Sequence, residues 1–422
     1  MKSIVFIHVD ALRREFSAAW MFAKRLEEQG FAVFLTSRST TNYLLKFVVP
    51  DLLVLSHPFT ISQENLAKLK LKGTKIIVTE VEGIVRVDHD IGTTYPDFVD
   101  FENFETIYVW NEWSRKWLYK NRDTKECRIK VSGCLRNDLI KSIDIKKDKK
   151  RIGILGRYEL INPFDGRHNF ENLRLMEKRH IERWHVDLDS FLIVRDLTAY
   201  LTQNGYKVSF RPHPNENVKA YNILKNFFGE NFEVNEDFDY YAWLETLEKV
   251  VGTVSSAFLE PYFAKIPIIC IDSLFEYRGP PNLEEWRKVT REASYNPSSQ
   301  KDLYSLCLRE DLVPKKSKRL DEYLYDLYSI KEKENSNAVD FVVNDVLGNI
   351  NNLRKSSMFK LVIVLILKKL LDILVILRCI IENSGAWSLQ NLKQYDFNPF
   401  FHRPNEFMIR SFEKNKKRNR TR

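Results

Sequence analysis

Short apolar runs alternate with amphipathic segments from the first residues of the chain. SIVFIHV at 3–9 has the composition of a buried strand, and RREFSAAWMFAKRLEEQ at 13–29 has apolar residues at helical spacing before Gly30. Five further apolar runs follow, at 31–37, 51–56, 75–80, 106–112 and 128–133. Strands this apolar that alternate with helices predict a parallel sheet covered by helices on both faces.

The alternation breaks at the charged segment SIDIKKDKKR and starts again with RIGILG at 151–156. Strands are then predicted at 207–214, 250–255 and 266–272, with helices between them. The sequence therefore predicts two doubly wound α/β domains, 1–145 and 151–350. We expect a cleft between the carboxyl ends of the two sheets, because ligands of such sheets bind at that edge.

The last part of the chain has a different pattern. MFKLVIVLILKKLLDILVILRCII at 358–381 is apolar, but its longest uncharged run is far shorter than the roughly 20 residues that span a bilayer. Its charged residues fall on one half of a helical wheel, which predicts an amphipathic helix within 353–385, followed by a basic tail at 386–422. Two interpretations stay open: packing across the protein surface, or lying on a membrane interface.

Charge and cysteine content narrow the class of protein. The chain has 422 residues and a formal net charge of +9, and its last nine residues, KNKKRNRTR, include six basic side chains. The five cysteines are widely spaced and form no CxxC pair, which argues for a reducing compartment. The first apolar run contains His8 and Asp10 and no small-residue cleavage site follows it, so it indicates a strand and not a signal peptide.

The stretch VSFRPHPNEN at 208–217 is the first candidate for chemistry. His213 lies between two prolines at the end of a predicted strand, and Arg211 lies two residues earlier, on the same side of that strand. An imidazole and a guanidinium that converge suit an anion, especially a phosphate. A purely structural histidine at a strand end is the alternative.

A second element follows in the same predicted domain. The strand VVGTV runs into Ser255 and Ser256, which open a predicted helix and offer hydroxyl and backbone N–H groups to a phosphate. Glu260 lies four residues after Ser256, on the same face, where a carboxylate can bond a ribose diol. Together with RPHP these residues predict a nucleotide phosphate site that lacks a glycine-rich fingerprint.

Weaker candidates border the same cleft. Arg157, after the first strand of the second domain, is a predicted donor contact, and His8 and Asp10, at the end of the first strand, are predicted acceptor contacts. Asp-x-Asp triplets at 88–90, 187–189 and 237–239 resemble metal–nucleotide motifs. In a chain with 57 acidic residues such triplets arise by chance, so we expect no metal site and no cofactor.

These motifs, in this order, resemble a known family. RPHP, SSxxxE at 255–260 and KIPII at 265–269 resemble the second domain of GT-B glycosyltransferases of bacterial surface polysaccharide synthesis. TEVEG at 79–83, YVWNEWSRKWL at 108–118 and VSGCLRNDLI at 131–140 resemble landmarks of surface carbohydrate biosynthesis proteins related to retaining Kdo transferases. Three departures stand out: Val81 replaces an acidic residue, Asn111 a glycine, and Cys134–Leu135 an Asn–Pro pair.

The resemblance implies a GT-B fold and a division of roles. His213, Ser255 and Ser256 would hold the donor phosphate and Glu260 the ribose. Glu82 would be the acid/base or acceptor-binding carboxylate, and Asp138 a second catalytic carboxylate. Glycosyl transfer needs this division, because positive charge develops on the sugar while negative charge grows on the leaving phosphate.

The leading hypothesis is a metal-independent glycosyltransferase that moves a sugar from a nucleotide donor, of the CMP-Kdo type, to a surface polysaccharide, capsule or lipopolysaccharide acceptor. Its expected location is cytoplasmic, peripheral to the inner face of the cytoplasmic membrane through 358–381 and the basic tail, with no nucleic-acid partner. One alternative is a polyol-phosphate transferase of similar fold that uses a CDP-glycerol type of donor. Another is a non-catalytic basic protein that binds membranes or nucleic acid.

Overall fold

The computed structural model describes residues 2–81, 83, 88–124, 126–140, 150–163, 166, 168–175, 178–237, 239–276, 284–328, 337–349, 359–367 and 369–370. The chain forms two compact units: Met1–Asp138 together with Asp326–Arg422, and Leu139–Tyr325. Among the described residues, no helix combines the length and the apolar content needed to cross a bilayer.

The first unit is built on a parallel sheet with strand order β2-β1-β3-β4-β5-β6. The strands are β1 Ile4–His8, β2 Ala32–Thr36, β3 Leu52–Leu55, β4 Lys75–Thr79, β5 Thr106–Val109 and β6 Arg128–Val131. The helices are α1 Leu12–Glu28, α2 Arg38–Leu44, α3 Gln63–Leu71, α4 Asp88–Thr94, α5 Glu112–Asn121 and α6 Asn137–Ile140. The central strands β1, β3 and β5 are buried along their whole length, as expected for a sheet covered on both faces.

The second unit has a five-stranded parallel sheet in the order β11-β10-β7-β8-β9. Its strands are β7 Arg151–Leu155, β8 Lys207–Arg211, β9 Phe232–Val234, β10 Lys249–Gly252 and β11 Ile268–Cys270. Its helices are α7 Asn169–Leu175, α8 Lys178–Gln203, α9 Asn222–Phe228, α10 Tyr240–Leu244, α11 Leu259–Phe263, α12 Glu284–Glu292, α13 Gln300–Leu308 and α14 Lys318–Tyr328. Counted from β7, this is the 3-2-1-4-5 order of a Rossmann-like sheet. The predicted fold class, two Rossmann-like α/β domains, is confirmed.

The boundary between the units differs from the one expected from the sequence. The helix α15, Ala338–Asn349, lies within the predicted second domain, 151–350, yet it belongs to the first unit and packs on α1. Its Asp345 accepts a hydrogen bond from the Tyr108 hydroxyl at 2.7 Å and pairs with Lys130, so it is fixed to β5 and β6. Burial of its valines and this polar contact together explain why the chain returns.

Only part of the predicted amphipathic helix can be described. Residues 359–367 and 369–370 are helical, and we refer to them as the C-terminal helical segment. Val364 is fully buried in the core of the first unit, with Leu361, Ile363 and Leu367 packed against that core. The segment therefore packs on the protein, as one of the two interpretations expected. The remainder of 353–385 and the tail at 386–422 lie outside the described residues.

Candidate functional site

The sheet of the second unit has a switch point between β7 and β10. From β7, the chain continues to β8 and β9 on one side, and to β10 and β11 on the other. At such a point the loops that follow two neighbouring parallel strands diverge and leave a crevice at the carboxyl edge, where ligands of these sheets bind. The loops that begin at Gly156 and Thr253 border this crevice.

Polar contacts fix these two loops to each other. The Arg157 guanidinium donates to the Val254 carbonyl at 2.8 Å, and the Val254 N–H donates to Asp272 at 3.0 Å. Asp272 also accepts two hydrogen bonds from Arg287, both at 3.2 Å. Val254 is thus held through its N–H and its carbonyl, which sets the direction in which the chain enters the serine pair. Arg157, expected from the sequence to contact the donor, lies at this switch point.

The serine pair lies at the end of β10, where the sequence placed it. The Ser255 hydroxyl accepts the Ala257 N–H at 3.2 Å and caps a 3-10 turn, Ser256–Phe258, that leads into α11. Ser256 is exposed and Ser255 half-buried. Glu260, expected to bond a ribose, is only 5% exposed, so in this conformation it presents almost no surface to a ligand.

The loop that carries His213 is organised by a buried carboxyl group that sequence reasoning missed. Glu216 accepts the His213 N–H at 3.0 Å and the Tyr158 N–H at 2.7 Å, and it bonds the Tyr221 hydroxyl. Glu216 has no exposed surface. One side chain therefore ties the loop after β7 to the loop after β8, in addition to the restraint from the two prolines. In the sequence, the only indication of a role for Glu216 was its position in the PHPNEN run.

The contacts of Nδ1 fix the tautomer of the His213 imidazole. Nδ1 of His213 lies 3.3 Å from the Asn215 N–H and 3.8 Å from Oε2 of Glu159, and the side chain is 40% exposed. A neutral ring that accepts from Asn215 at Nδ1 carries its proton on Nε2, and a protonated ring also carries one there beside the Glu159 charge. His213 is therefore a hydrogen-bond donor at Nε2 in both protonation states.

Glu159 supplies a permanent negative charge next to His213. Its carboxylate also pairs with Arg183 of α8. Burial opposes ionisation of this carboxyl group, but the charges of His213, Arg183 and Arg157 outweigh burial and lower its pKa to about 2. These four side chains form one electrostatic cluster at the carboxyl edge of β7 and β8, and we call it the Glu159 cluster.

Two neighbouring carboxyl groups are shifted in the opposite direction. Burial, reinforced by the charge of Glu159, raises the pKa of Asp187 to about 7. Burial likewise raises the pKa of Glu216 to about 8. Near neutral pH the carboxyl groups of Glu159, Asp187 and Glu216 therefore carry less negative charge than their number suggests. Carboxyl groups whose pKa values are driven apart in this way are typical of functional sites.

Arg211 does not share these contacts. Its guanidinium is buried, bonds the Asn235 side chain, and lies 5.1 Å from the ring centre of Tyr240 and 5.6 Å from that of Trp243. The sequence predicted that Arg211 and His213 converge on one anion. The structure instead gives Arg211 a set of partners around α10, separate from the Glu159 cluster, because the aromatic rings of α10 cover it.

The first unit has its own switch point, between β1 and β3. His8 ends β1, Ser56 follows β3, and the two are joined by a hydrogen bond of 2.9 Å between Nδ1 and Oγ. The sequence predicted an acceptor contact at His8, and the structure places it at the position in the sheet where ligands bind. Asp10 is half-buried in the loop after β1, and its N–H donates to the buried Glu15 at 2.9 Å.

A second buried carboxylate lies next to this switch point. Glu80 follows β4, is 4% exposed, and accepts the Trp110 N–H at 2.7 Å. Gly83 has room for no side chain here, since a Cβ would come within 2.5 Å of the Glu80 carboxylate. Asn111 donates to the Gly83 carbonyl at 3.2 Å and caps α5, so the TEVEG and VWNE landmarks bond to each other.

The polar residues at the β1–β3 switch point line a cavity of about 40 Å³. Its lining includes His8, Glu15, Ser56, Glu80, Trp110 and Arg136. A cavity of this size has room for a small polar group. Sequence reasoning missed Ser56 and Glu80, which were the last residues of two predicted strands and are the first residues after β3 and β4.

Two predicted catalytic carboxylates have different outcomes. Glu82 lies outside the described residues. Asp138 accepts the N–H groups of Ala338 at 3.1 Å and Val339 at 2.8 Å, one on each carboxylate oxygen. It therefore caps the start of α15, and the assignment of Asp138 as a catalytic group is corrected to a structural one. Within the described parts of the chain, no group of three or more His, Cys, Asp or Glu side chains is arranged to hold a metal ion.

The architecture defines a class: two parallel, Rossmann-like α/β units with polar residues at their switch points.

No protein-family model matches the chain, and no curated protein matches it in sequence. Similar solved structures include the wall teichoic acid polymerase TagF, at 16% identity and a TM-score of 0.48, covering 83% of this chain and 89% of that one. A putative UDP-N-acetylglucosamine 2-epimerase from Listeria monocytogenes has 11% identity and a TM-score of 0.47, with coverage of 84% and 98%. The UDP-GlcNAc 2-epimerase of Methanocaldococcus jannaschii, in complex with UDP-GlcNAc and UDP, has 11% identity and a TM-score of 0.44, with coverage of 82% and 100%.

Proposed function

We propose that the second unit binds the phosphate of a nucleotide-activated donor at its switch point. The protein would be a glycosyltransferase that moves a sugar from this donor to a glycan acceptor. The observation that carries the proposal is the Glu159 cluster, in which Arg157 and His213 lie beside one carboxylate while Arg157 also bonds the residue that precedes Ser255. The loops after β7, β8 and β10 thus bring two cationic groups and two hydroxyls to one edge of the sheet.

The chemistry of transfer fits these groups. The bond between the anomeric carbon and the phosphate oxygen breaks, the sugar acquires oxocarbenium character, and negative charge grows on the leaving phosphate. The Nε2–H of His213 and the guanidinium of Arg157 stabilise that charge, and the hydroxyls of Ser255 and Ser256 donate to the remaining oxygens. Because Glu159 stays ionised, it keeps a protonated His213 favourable without itself competing for a proton.

The acceptor side of the proposal belongs to the first unit. A carboxylate must take the proton of the attacking hydroxyl, and the family resemblance implies Glu82 as the acid/base or acceptor-binding carboxylate. The cavity at the β1–β3 switch point offers His8, Ser56 and Glu80 to neighbouring hydroxyls of the same acceptor. The resemblance of TEVEG, RPHP and SSxxxE to surface-glycan enzymes supports a surface polysaccharide or lipopolysaccharide as the acceptor class and a CMP-Kdo-like donor.

A donor panel tests the proposal. We expect one of the CMP-, UDP-, GDP- or CDP-linked sugars to raise the melting temperature of the full chain, because a ligand that binds only the native state stabilises it. His213→Ala should remove that shift. His185→Ala, which changes an exposed histidine on α8, is the matched control and should keep it. A shift that survives His213→Ala, or no shift with any nucleotide, would overturn the donor-site assignment.

The same panel separates the alternative reaction. A polyol-phosphate transferase would also need cationic groups and hydroxyls at a phosphate, so the Glu159 cluster suits both reactions. Including CDP-glycerol, labelled in the glycerol, distinguishes them. Label that appears in a polymeric product assigns polyol-phosphate transfer, and label from a sugar nucleotide assigns glycosyl transfer.

A further inference from the structure

The C-terminal helical segment presents apolar side chains on two opposite faces. Its inner face holds Leu361, Val364 and Leu367 against the core of the first unit. Its outer face exposes Phe359 (74%), Val362 (44%) and Ile366 (53%), followed by Leu370 (51%). The outer residues recur at spacings of three and four, so they form a single stripe along the helix.

An outer stripe of this kind is unusual for a helix that already packs on its protein. A helix on the surface of a globular domain normally has one apolar stripe and a polar outer face. In this segment the outer stripe is apolar as well, and Leu365, at its border, is also exposed. A contiguous patch of exposed apolar residues marks a site that binds a protein, a membrane or a ligand.

The charge around the stripe indicates which kind of partner this surface binds. Residues 353–370 read LRKSSMFKLVIVLILKKL, with five basic side chains and no acidic one. Exposed Lys360 and Lys369 flank the stripe at its two ends. Six more basic residues lie in the last nine of the chain. Apolar side chains flanked by lysines suit the boundary between the acyl chains and the headgroups of an anionic bilayer.

We propose that the outer face of the C-terminal helical segment docks on anionic membrane lipid. The inner face fixes the helix to the first unit, so Phe359, Val362 and Ile366 enter the headgroup boundary together while the lysines contact lipid phosphates. The sequence left two interpretations open, packing on the protein or lying on a membrane. The structure shows that packing on the protein occupies one face and leaves the other available. This inference does not depend on the donor site.

Vesicle flotation with the full chain tests the proposal, with no nucleotide present. We expect the wild-type chain to float with vesicles of phosphatidylcholine and phosphatidylglycerol and much less with phosphatidylcholine alone. The triple variant F359S/V362S/I366S should lose at least ten-fold in the fraction bound. The control is F227S/I223S/V313S, which removes the same three side-chain types from exposed positions of the second unit (75%, 60% and 65% exposed) and should bind as the wild type does.

Two further measurements control for unfolding and for self-association. Melting temperatures of both triple variants show that the fold is retained, and gel filtration reports the oligomeric state. Binding of F359S/V362S/I366S equal to that of the wild type would overturn the proposal, as would equal binding of the wild type to neutral and anionic vesicles. A wild-type dimer that the same triple variant converts to a monomer, without vesicle binding by either, would assign the stripe to a second copy of the chain instead.

Discussion

Two loops determine the environment of His213. In the loop after β8, the Asn215 N–H bonds Nδ1 and Glu216 accepts the backbone N–H of His213, while Glu159 of the loop after β7 lies beside Nδ1. The two prolines could be recognised in the sequence as restraints on this histidine. Glu159 and Glu216 could not be recognised, because both are among 57 acidic residues and lie in different loops, which only the pairing of β7 with β8 brings together.

Replacing His213 with alanine should weaken donor binding by about one to two orders of magnitude, since a hydrogen bond to a charged group contributes about 1.5–3 kcal/mol. Isothermal titration with the donor found in the panel measures this loss. The fold should be unchanged, because Glu216 bonds the backbone N–H of residue 213 and not its side chain. Donor affinity within two-fold of the wild type would contradict the role of the imidazole.

Asp187 gives the Glu159 cluster a pH-dependent stability. Its pKa in the folded chain is raised to about 7 by burial and by Glu159. A raised folded pKa means that the stabilising contribution is complete below the unfolded pKa and is lost as pH rises through about 7. Asp187→Asn cannot ionise and keeps an oxygen for the Leu160 N–H, which donates to Asp187 at 3.2 Å.

We therefore expect Asp187→Asn and the wild type to have the same free energy of unfolding at low pH. At pH of about 8 the variant should be more stable, by up to about 4 kcal/mol. Calorimetry across this pH range measures the difference. A variant that is less stable than the wild type at pH of about 8, with the difference lost at low pH, would show that the folded chain stabilises the charged form of Asp187, contrary to the raised pKa.

At the scale of elements, the strands were predictable and one long helix was not. Apolar runs such as SIVFIHV and KVSF coincide with β1 and β8, because buried parallel strands need apolar side chains on both faces. The first eight residues of α8, KRHIERWH, lack apolar periodicity, so the sequence does not predict the start of this helix. The structure explains why: this stretch carries Arg183, and Asp187 follows it, so the helix turns polar groups to Glu159.

The contact between Asp138 and α15 makes a prediction about an element. Asp138→Ala removes the acceptor of two N–H groups at the start of the helix and should cost about 1 kcal/mol, as expected for loss of a helix cap. Thermal unfolding measures the cost, and Asp138→Asn, which keeps an acceptor, should cost less. Turnover measured well below the melting temperature should not change. Loss of turnover at full folding would restore the catalytic assignment.

At the scale of the molecule, the sequence predicted two α/β domains but not which one receives α15. The pattern along the chain places 326–350 after the second sheet, and nothing local shows that the helix returns to the first. The return depends on contacts between residues more than 200 positions apart, such as Tyr108 with Asp345 and Asp138 with Val339. Such pairings have no signature in a single sequence, whereas hydrophobic periodicity does.

The division of the chain therefore predicts which fragment folds alone. A fragment spanning 139–328 keeps all five strands of the second sheet and α14, and should unfold cooperatively and show the same donor-induced rise in melting temperature as the full chain. The fragment 151–350, whose bounds are those predicted from the sequence, contains α15 but not α1, the helix on which α15 packs. Val339, Val342 and Val346, each at most 1% exposed in the full chain, would then face water.

Each buried valine contributes roughly 1.5–3 kcal/mol, so that fragment should bind a hydrophobic dye and aggregate where 139–328 does not. Dye fluorescence and light scattering at equal concentration compare the two. Because the residues of the proposed donor site all lie within 139–328, a folded fragment that fails to bind any nucleotide would count against the proposed function alone. An unfolded 139–328 beside a folded 151–350 would instead contradict the division into units, since α15 would then be a necessary part of the second one.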